Sequence, residues 1–131
     1  MNKADLENVL SLLVAAIFAD GRVLPSEIKA FLHAASRLDV GPKLASQLSE
    51  KKLSTWYEKH KDDIRDKITS PYFKDWFYEL LENLSEFEDK DALLAMMKDI
   101  ALADGRIHVS ERTLVGLAAR YWGINIAPLA P

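Results

Sequence analysis

A chain of 131 residues with 49% hydrophobic and 28% charged residues, 5 Gly and 5 Pro has the composition of an ordinary globular protein, which excludes disordered, collagen-like and low-complexity chains. Lys and Arg number 17 against 20 Asp and Glu, a formal charge of −3; no global basic field attracts phosphate backbones or anionic lipid, and no nucleic-acid partner is expected. The absence of cysteine excludes disulfides, thiolate zinc sites and a cysteine nucleophile, leaving Asp, Glu, His and carbonyl oxygens as metal ligands.

Apolar residues recur at three- and four-residue spacing with no sustained alternation, which predicts an all-α single domain over residues 1–131, a compact bundle of about seven helices. The first helix, near 3–19, carries Leu6, Leu10, Leu13 and Ile17 on one stripe, widened by Val9, Val14 and Phe18. Its longest apolar stretch, Val9 to Ala19, is interrupted by Ser11 and falls short of the roughly 20 residues of a transmembrane helix. Asp5 and Glu7 stand where a signal peptide needs basic residues, so the expectation is a mature, cytoplasmic chain without a transmembrane segment.

The second helix, near 25–38, presents Ile28, Phe31, Leu32, Ala35 and Leu38. Gly41-Pro42 breaks the chain before a short helix with Leu44 and Leu48 and a charged one near 53–68; the mixed signs of that charged run fit a solvated face. Ser70-Pro71 predicts the start of an aromatic helix, with Ser as N-cap and Pro at the first position. Its face is Phe73, Trp76, Phe77, Leu80, Leu81 and Leu84. The acidic run Glu86, Glu88, Asp89 and Asp91 fits a solvated connection and the first turn of a helix to about Ala103, where negative charge suits the dipole. A last helix, near 110–122, packs Leu114, Ala118, Tyr121 and Trp122, and Gly123 can end it in the left-handed conformation.

Shifting the chain by 84 residues lays Ala19–Val40 over Ala103–Ile124 with 8 of 22 positions identical. Six of these matches pair Ala19, Asp20, Gly21, Arg22, Ser26 and Glu27 with Ala103, Asp104, Gly105, Arg106, Ser110 and Glu111. Such a cluster points to duplication. The repeat halves, around 12–40 and 96–124, are expected to pack as helical hairpins about a pseudo-twofold. Each copy reads as helix, tight turn, helix, with Gly21 and Gly105 just past a helix end, where a positive φ costs glycine nothing.

Pro25 at the first helical position puts Leu24 at the N-cap and Glu27 at the third position of a capping box. Asp20 and Asp104 sit beside the negative pole of the preceding helix, a cost of about 0.3–1 kcal/mol if exposed. The next helix N-terminus, the adjacent Arg22 or Arg106, or a bound cation would each compensate, and these readings stay open. Asp-Gly-x5-Glu is also the second half of an EF-hand loop, but the first-half ligand positions fall on Ala16 and Phe18, and on Ile100 and Leu102, so a conventional EF-hand is rejected. A looser oxygen site of Asp20, Glu27, Asp104 and Glu111 remains, with no cofactor required beyond a divalent metal ion. His108 is a further ligand type between Asp104 and Glu111, although its counterpart is Leu24 and a surface-turn histidine is the simpler reading. His33 reads as solvated and His60 as a helix-boundary residue. With no phosphate loop, His-Glu-x-x-His or Gly-x-Ser-x-Gly in the sequence, no enzyme is indicated.

The two Ala-Asp-Gly-Arg-(Val/Ile)-x-x-Ser-Glu turns, their separation and the helical pattern resemble the TerB-like tellurite-resistance family, a domain also seen at the N-terminus of some membrane-anchored DnaJ-type cochaperones. The resemblance implies a seven-helix bundle, action in stress responses in the cytoplasm or at the inner face of the membrane, and a metal-associated acidic surface carried onto Asp20, Glu27, Asp104 and Glu111. No J-domain accompanies it, so cochaperone activity does not transfer. Two function classes follow: a stress-related metal-binding protein, and a helical protein–protein interaction module whose acidic turns are structural and whose unidentified protein partner would sit on an exposed helix face or at the membrane.

Overall fold

The computed structural model describes residues 1–19, 23–103, 105 and 109–125, residues 109–111 by their backbone only. Six α-helices run over Lys3–Phe18 (α1), Pro25–Ser36 (α2), Glu50–Thr69 (α3), Phe73–Asn83 (α4), Lys90–Ala101 (α5) and Val109–Tyr121 (α6), with a 3₁₀ turn over Ala45–Leu48. Among the described residues there is no strand. The all-helical expectation therefore holds, with the seventh helix reduced to that single 3₁₀ turn. No helix among the described residues is long and apolar enough to cross a membrane.

α1 occupies the centre. Leu12 to Phe18 are all buried, so this half of the helix is apolar all round, the pattern of a helix enclosed by others. It touches each of the other five α-helices. Asn2 starts it with a full capping box, accepting from the Asp5 amide at 2.8 Å while the Asp5 carboxylate accepts from the Asn2 amide at 3.2 Å. Phe31, Leu53, Phe77, Leu81, Leu94, Met97 and Ile100 close around α1, and full burial of each such side chain contributes about 1.5–3 kcal/mol. α5 packs against α1, α2 and α6.

Several boundaries differ from the sequence reading. α3 begins three residues before Leu53 because the Ser49 hydroxyl accepts from the Lys52 amide at 3.2 Å and caps it. α4 begins at Phe73: Ser70 ends α3, and its hydroxyl accepts from the Tyr72 amide at 3.0 Å, holding Pro71 in a turn outside the helix. Tyr121 lies outside the core, 41% exposed, where it stacks on Tyr78 and donates to Glu82 at 2.6 Å. Ile28 and Leu32 are half-buried and pack at the margin of the core. His60 lies within α3, its ring stacked on Trp56 and its Nδ1 2.8 Å from the Trp56 carbonyl. His33 is exposed, as expected.

Gly123 ends α6 as the sequence implies. With φ +68°, it donates to the Arg120 carbonyl at 3.1 Å while Ile124 donates to that of Ala119 at 2.8 Å, the paired bonds of a Schellman motif.

Candidate functional site

The first Asp-Gly motif joins α1 to α2. Asp20, Gly21 and Arg22 lie outside the described residues, as do Asp104, Arg106 and His108; Glu111 is described only as backbone within α6. Glu27 and Gly105 are therefore the members of the sequence-derived set whose surroundings are defined.

Glu27 is the one buried charged residue among the described residues, 1% exposed. Leu24 has the extended backbone of an N-cap, and its amide donates to the Glu27 Oε1 at 3.1 Å. Leucine has no side-chain acceptor, so only the returning half of the capping box is made. It is the half the sequence assigns to Glu27. The carboxylate also sits in the first turn of α2, where the positive pole of the helix favours it.

The surroundings of Glu27 are aromatic. Phe31, one turn along α2, has its ring centroid 6.0 Å from that of Tyr57, and Tyr57 stacks on Phe18 at 6.3 Å. The Arg65 guanidinium lies 5.2 Å from the Phe18 ring centre, within cation–π range. Burial pushes the Tyr57 phenol above its usual pKa; the charges of Glu58 and Glu27 add to this and those of Lys61 and Arg65 oppose it. The end of α1 is thus covered by α3, with the Glu27 charge close enough to act on a core tyrosine.

In the second motif, Gly105 has φ +94° and a hypothetical Cβ there would meet nothing within 4 Å. Backbone conformation, and not lack of space, is what calls for glycine. Its amide donates to the Leu102 carbonyl at 2.9 Å, closing the turn that ends α5.

The two motifs follow α1 and α5, which pack against each other. Asp5 at the start of α1, Leu38 past the end of α2, Leu84 at the end of α4 and Leu93 in the first turn of α5 line a single cleft. α1 and α5, with 16 and 12 residues, both begin at this cleft and, at about 1.5 Å per residue, finish roughly 24 and 18 Å from their starts. The Asp-Gly motifs follow those far ends.

Sequence reasoning marked Glu27 as a cap or ligand but missed its burial. The signal was present: Glu27 extends the Phe31, Ala35 and Leu38 stripe of α2 by one turn. Among the described residues, no three His, Asp or Glu side chains are grouped closely enough to hold a metal ion.

Six packed helices with no strand among the described residues define an all-α protein. Compared with known families, residues 6–130 match the family described as tellurite resistance protein TerB. The chain belongs to the TerB family. No curated protein and no solved structure matches it.

Proposed function

We propose that this TerB-family domain is a non-enzymatic stress-response protein, linked to tellurite resistance, that binds a divalent metal ion through Asp20, Glu27, Asp104 and Glu111, with His108 as an additional ligand type. The supporting observation is the burial of Glu27. This carboxylate is 1% exposed, and it belongs to the motif that the chain carries twice. The packing of α1 against α5, which both begin at one cleft, favours bringing both copies to one end of the bundle. Carboxylate oxygens suit a hard cation such as calcium, magnesium or manganese, which a bound site would use for charge compensation and cross-linking of the two hairpins. Tellurite itself is excluded as the direct ligand of an acidic site, because an oxyanion is repelled there. We place the domain in the cytoplasm, with peripheral association at the inner membrane face through a protein partner.

The Leu24–Glu27 hydrogen bond at 3.1 Å favours a second reading. It gives the motif glutamate a structural duty, as expected of a helical protein–protein interaction module without metal. Isothermal titration with calcium, magnesium, manganese and zinc separates the two. Binding to the natural chain that falls at least about tenfold in the Asp20→Asn, Asp104→Asn double variant supports the metal site, since a hard cation needs anionic oxygen. Unchanged affinity in that variant removes it.

A further inference from the structure

The cleft where α1 and α5 begin has a volume of about 750 Å³, within the roughly 300–1,000 Å³ range of ligand-binding clefts. Its floor is apolar: Leu38, Leu84 and Leu93 are buried, and Phe87 and Met96 are half-buried and line the opening. Its rim carries Asp5, Asp39, Glu86, Glu88 and Asp89 against the Arg37 side chain and Met1, which bears the α-ammonium group.

These carboxylates divide into two groups. Asp5 completes the α1 capping box, and Asp89 accepts from the Ala92 amide at 3.1 Å to cap α5. They answer the two positive helix ends at the cleft. Asp39, Glu86 and Glu88 are exposed in whole or large part, and among the described residues they make no ion pair. The nearby Lys90 ammonium donates to the carbonyls of Ser85 and Phe87 at 2.8 and 3.0 Å; it makes no ion pair with these carboxylates, although its charge offsets part of the field. α2 and α4 also finish here, and their negative poles deepen the field.

We propose that this cleft docks a basic, amphipathic peptide segment of a partner protein, with Lys or Arg flanking large apolar side chains. Charge complementarity selects this occupant. The rim repels phosphate, anionic lipid and nucleic acid. Its carboxylates surround the apolar floor and form no group able to hold a single metal ion, so the matching ligand has separated positive charges around an apolar body. Met96 supplies an adaptable surface for that body. The proposal gives the interaction-module reading a site and does not depend on metal at the opposite end; its failure leaves docking on another helix face as a separate question.

The test is fluorescence anisotropy on the full chain at physiological salt, with a labelled Lys-Arg-Leu-Leu-Trp-Lys-Arg peptide and a counterpart in which Gly-Ser-Gly replaces the apolar core. The first peptide should bind at least about tenfold tighter than the second, and the Asp39→Asn, Glu86→Gln, Glu88→Gln variant should weaken it about tenfold. A variant with the same charge change on α3, Asp62→Asn, Asp63→Asn, Asp66→Asn, should bind within about twofold of the natural chain, as charges beyond a Debye length of about 8 Å are screened. Equal loss in both variants, equal binding of both peptides, or no binding up to about 1 mM would overturn the proposal. So would a self-association of the chain that occupies the cleft and excludes the peptide.

Discussion

The two ends of the bundle are both acidic, yet they hold their carboxylates in opposite ways. Where α1 gives way to α2, Glu27 is enclosed and bonded to the Leu24 amide. Where α1 and α5 begin, Asp39, Glu86 and Glu88 stand on an open rim. Burial makes the first carboxylate a matter of folding, whereas exposure leaves the second set available to a ligand at little cost to stability. The same residue type should therefore respond to substitution very differently at the two ends.

The largest effect is expected from the packing that encloses Glu27. Phe31 is fully buried against Tyr57, and Phe31→Ala should cost about 3–5 kcal/mol in urea unfolding. A loss below about 1 kcal/mol would mean that the aromatic enclosure is not a packed part of the core. Next comes Glu27. Its replacement by Ala leaves the Leu24 amide without its acceptor and should cost about 1–3 kcal/mol, while Glu27→Gln keeps an acceptor oxygen and should cost less than half as much. If Gln proves as damaging as Ala, the charge itself holds that end together.

Tyr57 sharpens the same contrast through pH. Its phenol titrates above the usual tyrosine value because burial favours the neutral form. An unfolded chain loses that proton first, near pH 10, so the stabilisation is fully present below about pH 10 and is lost as pH rises from there through the folded-state value. Tyr57→Phe should flatten that part of the stability profile in alkaline unfolding measurements. An unchanged slope would show that Tyr57 is not the group responsible. The smallest effect belongs to the open end: neutralising Asp39, Glu86 and Glu88 together should leave the unfolding free energy within about 0.5 kcal/mol of the natural chain. A larger loss would show that the rim carboxylates have structural partners.

Much of the fold was legible because helical signals are local. The widened stripe of the first helix, with Val9, Val14 and Phe18 beside Leu6, Leu10, Leu13 and Ile17, predicted burial on more than one side, and Gly123 marked the end of α6 through its left-handed conformation. Ser70-Pro71 misled because the same serine that can cap a helix can also end the preceding one and bond Tyr72 within a turn. Tyr121 misled because helical spacing shows which side a residue faces but not how far the neighbouring helix covers it. At the candidate site, the role of Glu27 as partner of the Leu24 amide was readable from Pro25 and the capping-box spacing. Its place on the stripe of Phe31, Ala35 and Leu38 marked the side it faces, but how completely it is buried depends on the helices that cover that side, which spacing does not record. The cleft was still less visible: Asp5, Asp39 and Glu86 are far apart in sequence, and only tertiary packing brings them around one floor.

The account assigns different ligands to the two ends, and amide chemical shifts of the ¹⁵N-labelled chain test that assignment directly in a single sample. Adding calcium or magnesium should perturb the amides of Phe18, Ala19, Val23, Leu24, Ser26 and Glu27 and those around Ala101–Ala103, and leave those of Phe87–Met96 unmoved. Subsequent addition of the basic peptide should move Phe87–Met96 instead. Metal-induced shifts centred on the cleft, with the ends of α1 and α5 unaffected, would contradict it.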